Sequence, residues 1–263
     1  MKNLFLTWAS KINESTWPYY QVYFDSVSRI NKDDDFVCLT DSLEEKYIDK
    51  IVINYNCRIQ FVKTKTKNIF TERWLAYWNF LKNKSYENVF ISDSKDVFIQ
   101  EYPFEILKSE KVQLVLTKEG FLHKESPFNM KDQLNLQVDF GDTIENYTDW
   151  PVVNAGVCCG KYPLIFDFCF LMWSNCFSHK KCTDQAVLNF LISKIKEDSR
   201  YHITDPNHDS FCLTGEVLKE KFLIFEPTIE NNKVMSNTNY PFSIFHQWNR
   251  TKFAELILQM FIK

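Results

Sequence analysis

Strand-like and helix-like segments alternate along the first half of this chain. Short apolar runs predict strands at residues 4–8, 36–39, 51–53, 58–62, 89–92 and 112–117. Helices are predicted at 19–30 and 69–81, and in the second of these the large aromatic residues recur on one helical face. Such alternation predicts an α/β fold in which helices flank a mixed, mostly parallel central sheet.

The second half is less regular but carries the same kinds of segment. Strands are predicted at 152–157 and 242–245, and helices after Pro163, from Thr183 to residue 195, and at 251–262. No Pro/Gly/Ser-rich linker divides the 263 residues, and this length suits one large α/β domain. We therefore expect residues 1–263 to form a single domain.

Glycine is scarce, with five residues in the whole chain. Their positions allow neither a G-x-G-x-x-G fingerprint nor a G-x-x-x-x-G-K phosphate loop. A phosphorylated ligand would therefore have to be held by a metal ion and side chains. The net charge of −3 argues against a nucleic-acid partner.

Two carboxylates, Asp93 and Asp96, follow directly after the predicted strand 89–92. Ligands of open α/β sheets collect outside the carboxyl ends of the strands. Divalent cations prefer oxygen ligands, and a cation shared with phosphates is usually held by one or two protein carboxylates. The segment therefore predicts a cation site for a phosphorylated ligand, although Asp and Ser are also common in ordinary turns.

Three later segments place polar side chains at the ends of predicted elements. Asn154 belongs to an Asn-Ala-Gly run, Asp184 and Gln185 follow Thr183 at a helix start, and His246 follows an apolar strand. Each segment taken alone also fits a structural role, as a tight strand end, a capped helix or a packed histidine.

In their order along the chain, the acid pair, the Asn-Ala-Gly run, Asp184-Gln185 and the late His246 resemble the GT-A fold nucleotide-sugar-dependent glycosyltransferases. They are most similar to the retaining branch that includes glycogenin-type and bacterial lipopolysaccharide galactosyltransferases. The resemblance spans roughly residues 4–250. It implies a Rossmann-like nucleotide-binding half at residues 1–100 and a half at 101–263 that binds the acceptor and completes the metal site.

The resemblance also implies a role for individual residues. The metal ligands would be Asp96, Asp93 and His246, binding Mn²⁺ or Mg²⁺, and Asp96 is the strongest match because it precedes the apolar Val97. The family spacing is D-x-D whereas this chain has D-x-x-D, so Asp93 could bind metal directly, act through water or hold the ribose. The implied donor-binding residues are Thr7, Ser10, Asp41, Arg73, Asp93 and Asn154. The implied catalytic residues are Gln185 and Asp184.

The activity implied is metal-dependent transfer of a sugar from a nucleoside-diphosphate sugar, expected to be a UDP-sugar, to a hydroxyl of a glycan acceptor. The segment containing Gln185 implies retention at the anomeric carbon. An inverting enzyme would need a carboxylate base, for which Asp149 is the nearest candidate by sequence. A non-catalytic nucleotide-sugar or glycan-binding module of the same fold is the other alternative. A glycoside hydrolase would not need an acid pair only three residues apart together with a late histidine.

Other features have structural and functional interpretations side by side. Trp150 and Trp248 could stack on sugar faces or belong to the core. The spacing of Cys176, His179 and Cys182 could ligate zinc but lacks the paired C-x-x-C pattern of common structural sites. No apolar run reaches membrane-spanning length, so we expect a cytoplasmic protein whose eight cysteines are reduced and buried. Residues 253–262 could dock on a membrane, although packing against the core is the expected role.

Overall fold

The computed structural model describes residues 1–31, 33–66, 68–109, 111–140, 147–178, 183–195, 198–219 and 222–262. The strands are β1 Leu4–Trp8, β2 Asp35–Thr40, β3 Arg58–Phe61, β4 Asn88–Asp93, β5 Val97–Ile99, β6 Leu114–Leu122, β7 Pro151–Lys161, β8 Tyr201–Thr204, β9 Cys212–Thr214, β10 Ile229–Glu230, β11 Lys233–Val234 and β12 Ile244–His246. The α-helices are α1 Trp17–Ile30, α2 Glu45–Tyr55, α3 Ile69–Leu81, α4 Pro127–Phe140, α5 Tyr162–Ser178, α6 Asp184–Ile195, α7 Gly215–Lys219 and α8 Ala254–Phe261.

Seven strands form the central sheet, in the order β3-β2-β1-β4-β7-β6-β8. Strands β1 to β4 pair in parallel, β7 is antiparallel to both β4 and β6, and β8 is parallel to β6. The predicted α/β fold with a mixed, mostly parallel sheet is therefore confirmed. The parallel arrangement places the carboxyl ends of β1, β2 and β4 along one edge.

A smaller three-stranded sheet has the order β5-β12-β9. In it His246 lies opposite Val97 of the antiparallel β5 and opposite Thr214 of the parallel β9. Since β5 begins directly after the turn that contains Asp96, this pairing brings a residue from near the end of the chain beside the acidic turn.

Helices cover both faces of the central sheet. On one face, α3 and α5 contribute Trp74, Tyr77 and Phe168 to a buried cluster with residues of β1 and β4. On the other face, α1 and α2 pack against the opposite side chains of the same strands, such as Phe5 and Phe90. Both faces of the sheet are thus buried from solvent, as expected for parallel strands that are connected by helices.

Helix α3 has the bounds that its aromatic pattern predicts, and Asn68 caps it by accepting a hydrogen bond from the Phe70 N–H at 3.1 Å. The strand predicted at residues 51–53 is wrong, because these residues lie in α2. There Tyr47, Ile51 and Tyr55 recur every four residues and form the buried face of a helix. The strand was predicted because residues 51–53 are β-branched and so have a high strand propensity.

The C-terminal helix α8 packs on the core, where Ile257 and Phe261 are buried with Val22 and Trp248. Among the described residues, no helix combines the length and apolarity that a bilayer span requires. The cysteines among the described residues are buried. His179 and Cys182 of the candidate zinc pattern lie outside the described residues.

Candidate active site

The acidic turn between β4 and β5 is held in place from two sides. The Ser94 hydroxyl donates to the Trp8 carbonyl at the end of β1, at 2.7 Å. The backbone N–H of Gln247, just after β12, donates to the Asp96 carbonyl at 2.6 Å. Both sheets therefore fix this turn, and with it the positions of Asp93 and Asp96.

Asp93, Asp96 and His246 converge at the edge of the central sheet. The His246 Nε2 atom lies 3.6 Å from Asp93 Oδ2 and 3.6 Å from Asp96 Oδ1. Taking one potential ligand atom from each of the three residues, all three atoms lie within 4.8 Å of one another. This oxygen, oxygen and imidazole set suits a divalent cation of the Mn²⁺ type, and it is the three-residue set expected from the sequence.

Gly156 of β7 leaves room beside this cluster. A Cβ atom at position 156 would lie 2.7 Å from Asp93 Oδ2 and 2.7 Å from His246 Nε2. Any side chain there would occupy the space between two of the three ligand atoms. The absence of a side chain therefore fits a cation bound among Asp93, Asp96 and His246.

The three groups shift one another's protonation. Burial acts to raise the pKa of Asp93, but Arg73 and His246 outweigh it and lower that pKa to about 2. For Asp96 burial prevails and raises the pKa. Burial acts to lower the pKa of His246, but Asp93 and Asp96 outweigh it and raise it. The negative charge of the two carboxylates thus favours the protonated form of the imidazole when no cation is bound.

Arg73 of α3 joins the metal cluster to the start of α6. Its guanidinium donates to Asp93 Oδ1 through Nη1, and to Asp184 Oδ2 through both Nη2 and Nε, the last at 2.7 Å. The Trp74 indole N–H also donates to Asp184 Oδ2, at 2.8 Å. Burial acts to lower the pKa of Arg73, but the two carboxylates outweigh it and raise it well above its usual range. The carboxylate of Asp184 is thus engaged by Arg73 and Trp74.

Four polar side chains form a second network beside the metal cluster. Glu119 of β6 accepts a hydrogen bond from Asn154 Nδ2 at 2.5 Å and one from Gln185 Nε2 at 3.4 Å. Gln185 Nε2 also donates to Asn129 Oδ1 at 2.9 Å. Asn154 Oδ1 accepts from the Gly156 N–H at 2.7 Å. Asn154 and Gln185 are therefore fixed through their amide groups.

A cavity of about 580 Å³ opens over both networks. Seven residues expected from the sequence line it, namely Arg73, Asp93, Asp96, Asn154, Asp184, Gln185 and His246. Phe70, Phe121, Phe128 and Phe222 add aromatic surface to its wall. A cavity that combines convergent polar groups with aromatic walls is typical of a small-molecule site.

Three expected donor-binding residues lie outside this cavity wall. Thr7 is fully buried in β1, and its hydroxyl donates to the Ser92 carbonyl at 2.7 Å. Ser10 and Asp41 follow β1 and β2 on the same edge of the sheet, where the Lys11 N–H donates to the Ser42 carbonyl. Ser10 and Asp41 therefore lie just beyond the carboxyl ends of neighbouring strands, whereas the Thr7 side chain is buried on a face of the sheet.

Trp150, Trp248 and Asp149, for which a functional role was possible from the sequence, all lie outside the cavity wall. Trp248 is fully buried and packs against Tyr19 in the core. Trp150 is half-buried beside Tyr147, and neither tryptophan lines the cavity. Asp149 is exposed, forms an ion pair with Lys124 at 2.6 Å, and is likewise absent from the cavity wall.

Several cavity residues were missed by the sequence reasoning. Glu119 and Asn129 contact Gln185, and Arg250 lies 3.6 Å from Asp96 and 2.9 Å from Glu216. Glu119 could have been found because it is a charged residue in a mostly apolar strand. Arg250 could have been found because it follows His246 by four residues. The sequence offers no comparable signal for Asn129 or Glu216.

No protein-family model matches this sequence, and no curated protein matches it. Solved structures do resemble it. Two structures of the galactosyltransferase LgtC, one with donor and acceptor sugar analogues and one of an active-site mutant, match at TM-scores of 0.59 and 0.61. The matches cover 99% and 98% of this chain and 96% and 94% of LgtC, at 15% and 14% identity.

The glycosyltransferase GlyE of Streptococcus pneumoniae TIGR4 also matches, with a TM-score of 0.58 and 13% identity. That match covers 100% of this chain and 61% of GlyE, so this chain corresponds to part of the longer protein. Because these matches cover nearly the whole chain, the similarity is not confined to one motif. This chain therefore has the GT-A fold of these glycosyltransferases.

Proposed function

We propose that this protein is a metal-dependent glycosyltransferase that moves a sugar from a nucleoside-diphosphate sugar to a hydroxyl of a glycan acceptor. The observation that carries the proposal is the convergence of Asp93, Asp96 and His246 on one wall of the cavity. Two carboxylates leave a bound cation with coordination positions that diphosphate oxygens can fill. The GT-A fold and the sugar analogues bound by LgtC support this choice of substrate class.

The bound cation would be Mn²⁺ or Mg²⁺, and it would neutralise charge on the diphosphate leaving group. Arg250 is placed to assist, because its half-exposed side chain lines the cavity 3.6 Å from Asp96. A guanidinium can contact two phosphate oxygens at once. Asp93 and Asp96 would thus hold the metal from the protein side while Arg250 contacts the phosphates directly.

Ser10 and Asp41 remain the proposed contacts for the nucleoside, which we propose to be uridine. They lie on the sheet edge beside the metal cluster, where the Tyr20 hydroxyl donates to the Ser10 carbonyl at 3.4 Å. Asp93 and Asp96 act on Tyr20 as well, since burial and these charges raise its pKa to about 12. Tyr20 therefore interacts both with Ser10 and with the charges of the acid pair. Thr7 would act only by supporting the end of β1.

The sugar would lie on the opposite side of the cluster, against Arg73, Asn154 and Gln185. Arg73 is held by Asp93 and Asp184, so its orientation is set before a donor binds. Gln185 is the proposed group beside the anomeric carbon, because Asp184 is already engaged by Arg73 and Trp74. Asp184 would then act through Arg73. A preorganised dipole such as the Gln185 amide can stabilise a positively charged sugar in the transition state.

Retention of the anomeric configuration is the proposed outcome. The position of Asp149 outside the cavity wall supports it, since this residue was the sequence candidate for the base of an inverting reaction. A glutamine beside the anomeric carbon can stabilise a cationic sugar but is too weak a base to activate an acceptor hydroxyl. One of the LgtC structures is of an active-site mutant in which glutamate replaces glutamine.

The test is a panel of UDP-, GDP- and dTDP-sugars, each with and without Mn²⁺. A donor that binds only the folded state raises the melting temperature by mass action, and we expect this rise to require Mn²⁺. Release of the nucleoside diphosphate from the stabilising donor should follow, with an α-configured product from an α-configured donor. Stabilisation without any release would indicate a binding module, and an inverted product would contradict retention.

A further inference from the structure

Glu119 is a buried carboxyl group that the proposed chemistry does not use directly. It belongs to β6, its exposed fraction is 2%, and it borders the cavity. The groups that donate hydrogen bonds to it are the side-chain amides of Asn154 and Gln185. Burying a carboxylate costs free energy unless its oxygens accept hydrogen bonds, and here the two amides donate them.

An ionised carboxylate only accepts hydrogen bonds, whereas a primary amide has a donor end and an acceptor end of nearly equal size. Burial raises the pKa of Glu119, while the hydrogen bonds from Asn154 and Gln185 act against that rise and favour the ionised form. In the structure both amides turn their NH₂ ends towards Glu119, Asn154 donating to Oε1 and Gln185 to Oε2. Asn129 reinforces this for Gln185, since its Oδ1 accepts from the same Nε2 at 2.9 Å.

The opposite end of the Gln185 amide is left free. Among the described residues, none donates a hydrogen bond to Gln185 Oε1, although Gln185 lines the cavity. Asn154 differs, because its Oδ1 is already engaged by the Gly156 N–H. Of the two amides that donate to Glu119, Gln185 is therefore the one whose oxygen is available to a ligand.

We propose that Glu119 is a positioning residue that orients the Gln185 amide, turning its NH₂ group inwards and its carbonyl oxygen towards the cavity. The inference rests on the proposed function, because the orientation matters when positive charge develops on the bound sugar. A carbonyl oxygen stabilises that charge, whereas an NH₂ group in its place would oppose it. The carboxylate thus sets the sign of the dipole that Gln185 presents.

The first test is NMR of the protein without ligands, selectively ¹⁵N-labelled at Gln and Asn. Diffraction at ordinary resolution does not distinguish amide nitrogen from oxygen, whereas NMR observes the NH₂ protons. We expect the Gln185 NH₂ protons to exchange slowly and to show nuclear Overhauser contacts to Glu119 and Asn129. Fast exchange with no such contacts would overturn the orientation in the wild-type protein, without recourse to any variant.

The second test compares Glu119→Gln with the matched control Glu72→Gln. Glu72 is also buried, and its Oε1 accepts one hydrogen bond, from the Thr66 N–H at 2.8 Å, which an amide oxygen can still accept. The carboxylate of Glu119 offers one oxygen to Asn154 and the other to Gln185. A glutamine at position 119 has only one acceptor oxygen, so it cannot accept from both amides in the same way. We expect the Gln185 NH₂ signals to shift and their exchange to quicken in Glu119→Gln, with no change in Glu72→Gln.

The third measurement separates positioning from general structural damage. With the donor identified in the nucleotide-sugar panel, we expect Glu119→Gln to lower kcat by roughly tenfold or more and to leave KM for the donor within about twofold. Glu72→Gln should alter neither. Unchanged kcat in Glu119→Gln would overturn the catalytic consequence. Absence of turnover in the wild type would count against the proposed function, while the NMR comparison would still decide the orientation.

Discussion

At the scale of single residues, Gly156 controls the space beside the candidate metal site. Its missing side chain would lie 2.4 Å from His246 Cε1 and 2.7 Å from Asp93 Oδ2. We therefore expect Gly156→Ala to weaken Mn²⁺ binding in the presence of UDP by at least about tenfold, as disturbed ligand orientation commonly does. Calorimetric titration of Mn²⁺ would measure the change.

Gly160→Ala on the same strand is the matched control. A Cβ atom there would meet the Gln113 carbonyl at 2.7 Å and Ile165 Cγ1 at 2.9 Å, far from any metal ligand. We expect this variant to lower the melting temperature while keeping the Mn²⁺ affinity. Equal loss of affinity in both variants would show that Gly156 acts through general packing rather than at the metal site.

His246 gives metal binding a defined pH dependence. Its pKa is raised above the ordinary value of 6.5 by Asp93 and Asp96, against the effect of burial. A protonated imidazole cannot ligate a metal, so Mn²⁺ must displace the proton, and the apparent dissociation constant should fall by up to about tenfold per unit as pH rises towards the pKa. Without metal, the raised pKa stabilises the fold below pH 6.5, and this stabilisation is lost as pH rises through the raised value.

Titration of Mn²⁺ with UDP at several pH values between about 6 and 8 checks this expectation. The control is His246→Gln, in which weaker binding should also become nearly independent of pH over that range. A wild-type affinity that stays constant across the range would contradict the role of His246 as a ligand.

At the scale of elements, Arg73 ties α3 to β4 and α6. It pairs with Asp93 at the end of β4 and with Asp184 at the start of α6, and the Arg73 and Asp184 side chains are 13% and 4% exposed. Removing one partner of a buried pair leaves an uncompensated charge. We therefore expect Arg73→Ala to lower the free energy of unfolding by about 3 kcal/mol.

A double-mutant cycle in urea would isolate this contact. Adding Asp184→Asn to Arg73→Ala should recover part of the loss, because one of the stranded charges is then removed. Lys124→Ala, which breaks the exposed pair with Asp149, should leave unfolding unchanged. Strict additivity of the Arg73 and Asp184 changes would show that the pair is not coupled.

Elements were predictable from the sequence where their pattern was local and strong. The aromatic pattern predicted the bounds of α3 because Trp74, Tyr77 and Leu81 recur at helical spacing and face the core. Residues 51–53 were misassigned because β-branched composition competed with the helical spacing of Tyr47, Ile51 and Tyr55. Composition describes single residues, whereas burial of one helix face depends on what packs against it.

At the scale of the whole molecule, the site depends on contacts between distant segments. His246 reaches Asp93 and Asp96 only because β12 pairs with β5, about 150 residues earlier in the chain. The order of motifs along the sequence predicted this meeting through the family resemblance. Pairing of the antiparallel β7 between β4 and β6 likewise brings Asn154 next to Glu119.

The parts of the site that escaped prediction are those without a local pattern. Glu119 and Asn129 matter because they contact Gln185, which lies 66 and 56 residues further along the chain, so that no local pattern indicates the contact itself. Thr7 was expected near the donor because it lies towards the end of β1, but strand alternation places its side chain on a buried face of the sheet, where its hydroxyl donates to the Ser92 carbonyl. The end of the sheet that carries the site was therefore predictable from the sequence, whereas the direction of each side chain was not.

The central claim is that Asp93, Asp96 and His246 hold the cation that a nucleoside-diphosphate sugar requires. The most direct measurement is release of UDP from UDP-sugars by the wild type and by Asp96→Ala, with Mn²⁺ and in metal-free buffer. We predict Mn²⁺-dependent release by the wild type and a loss of at least about 100-fold in Asp96→Ala, whose melting temperature without ligands should stay close to that of the wild type. Equal release by Asp96→Ala in metal-free buffer would contradict the account.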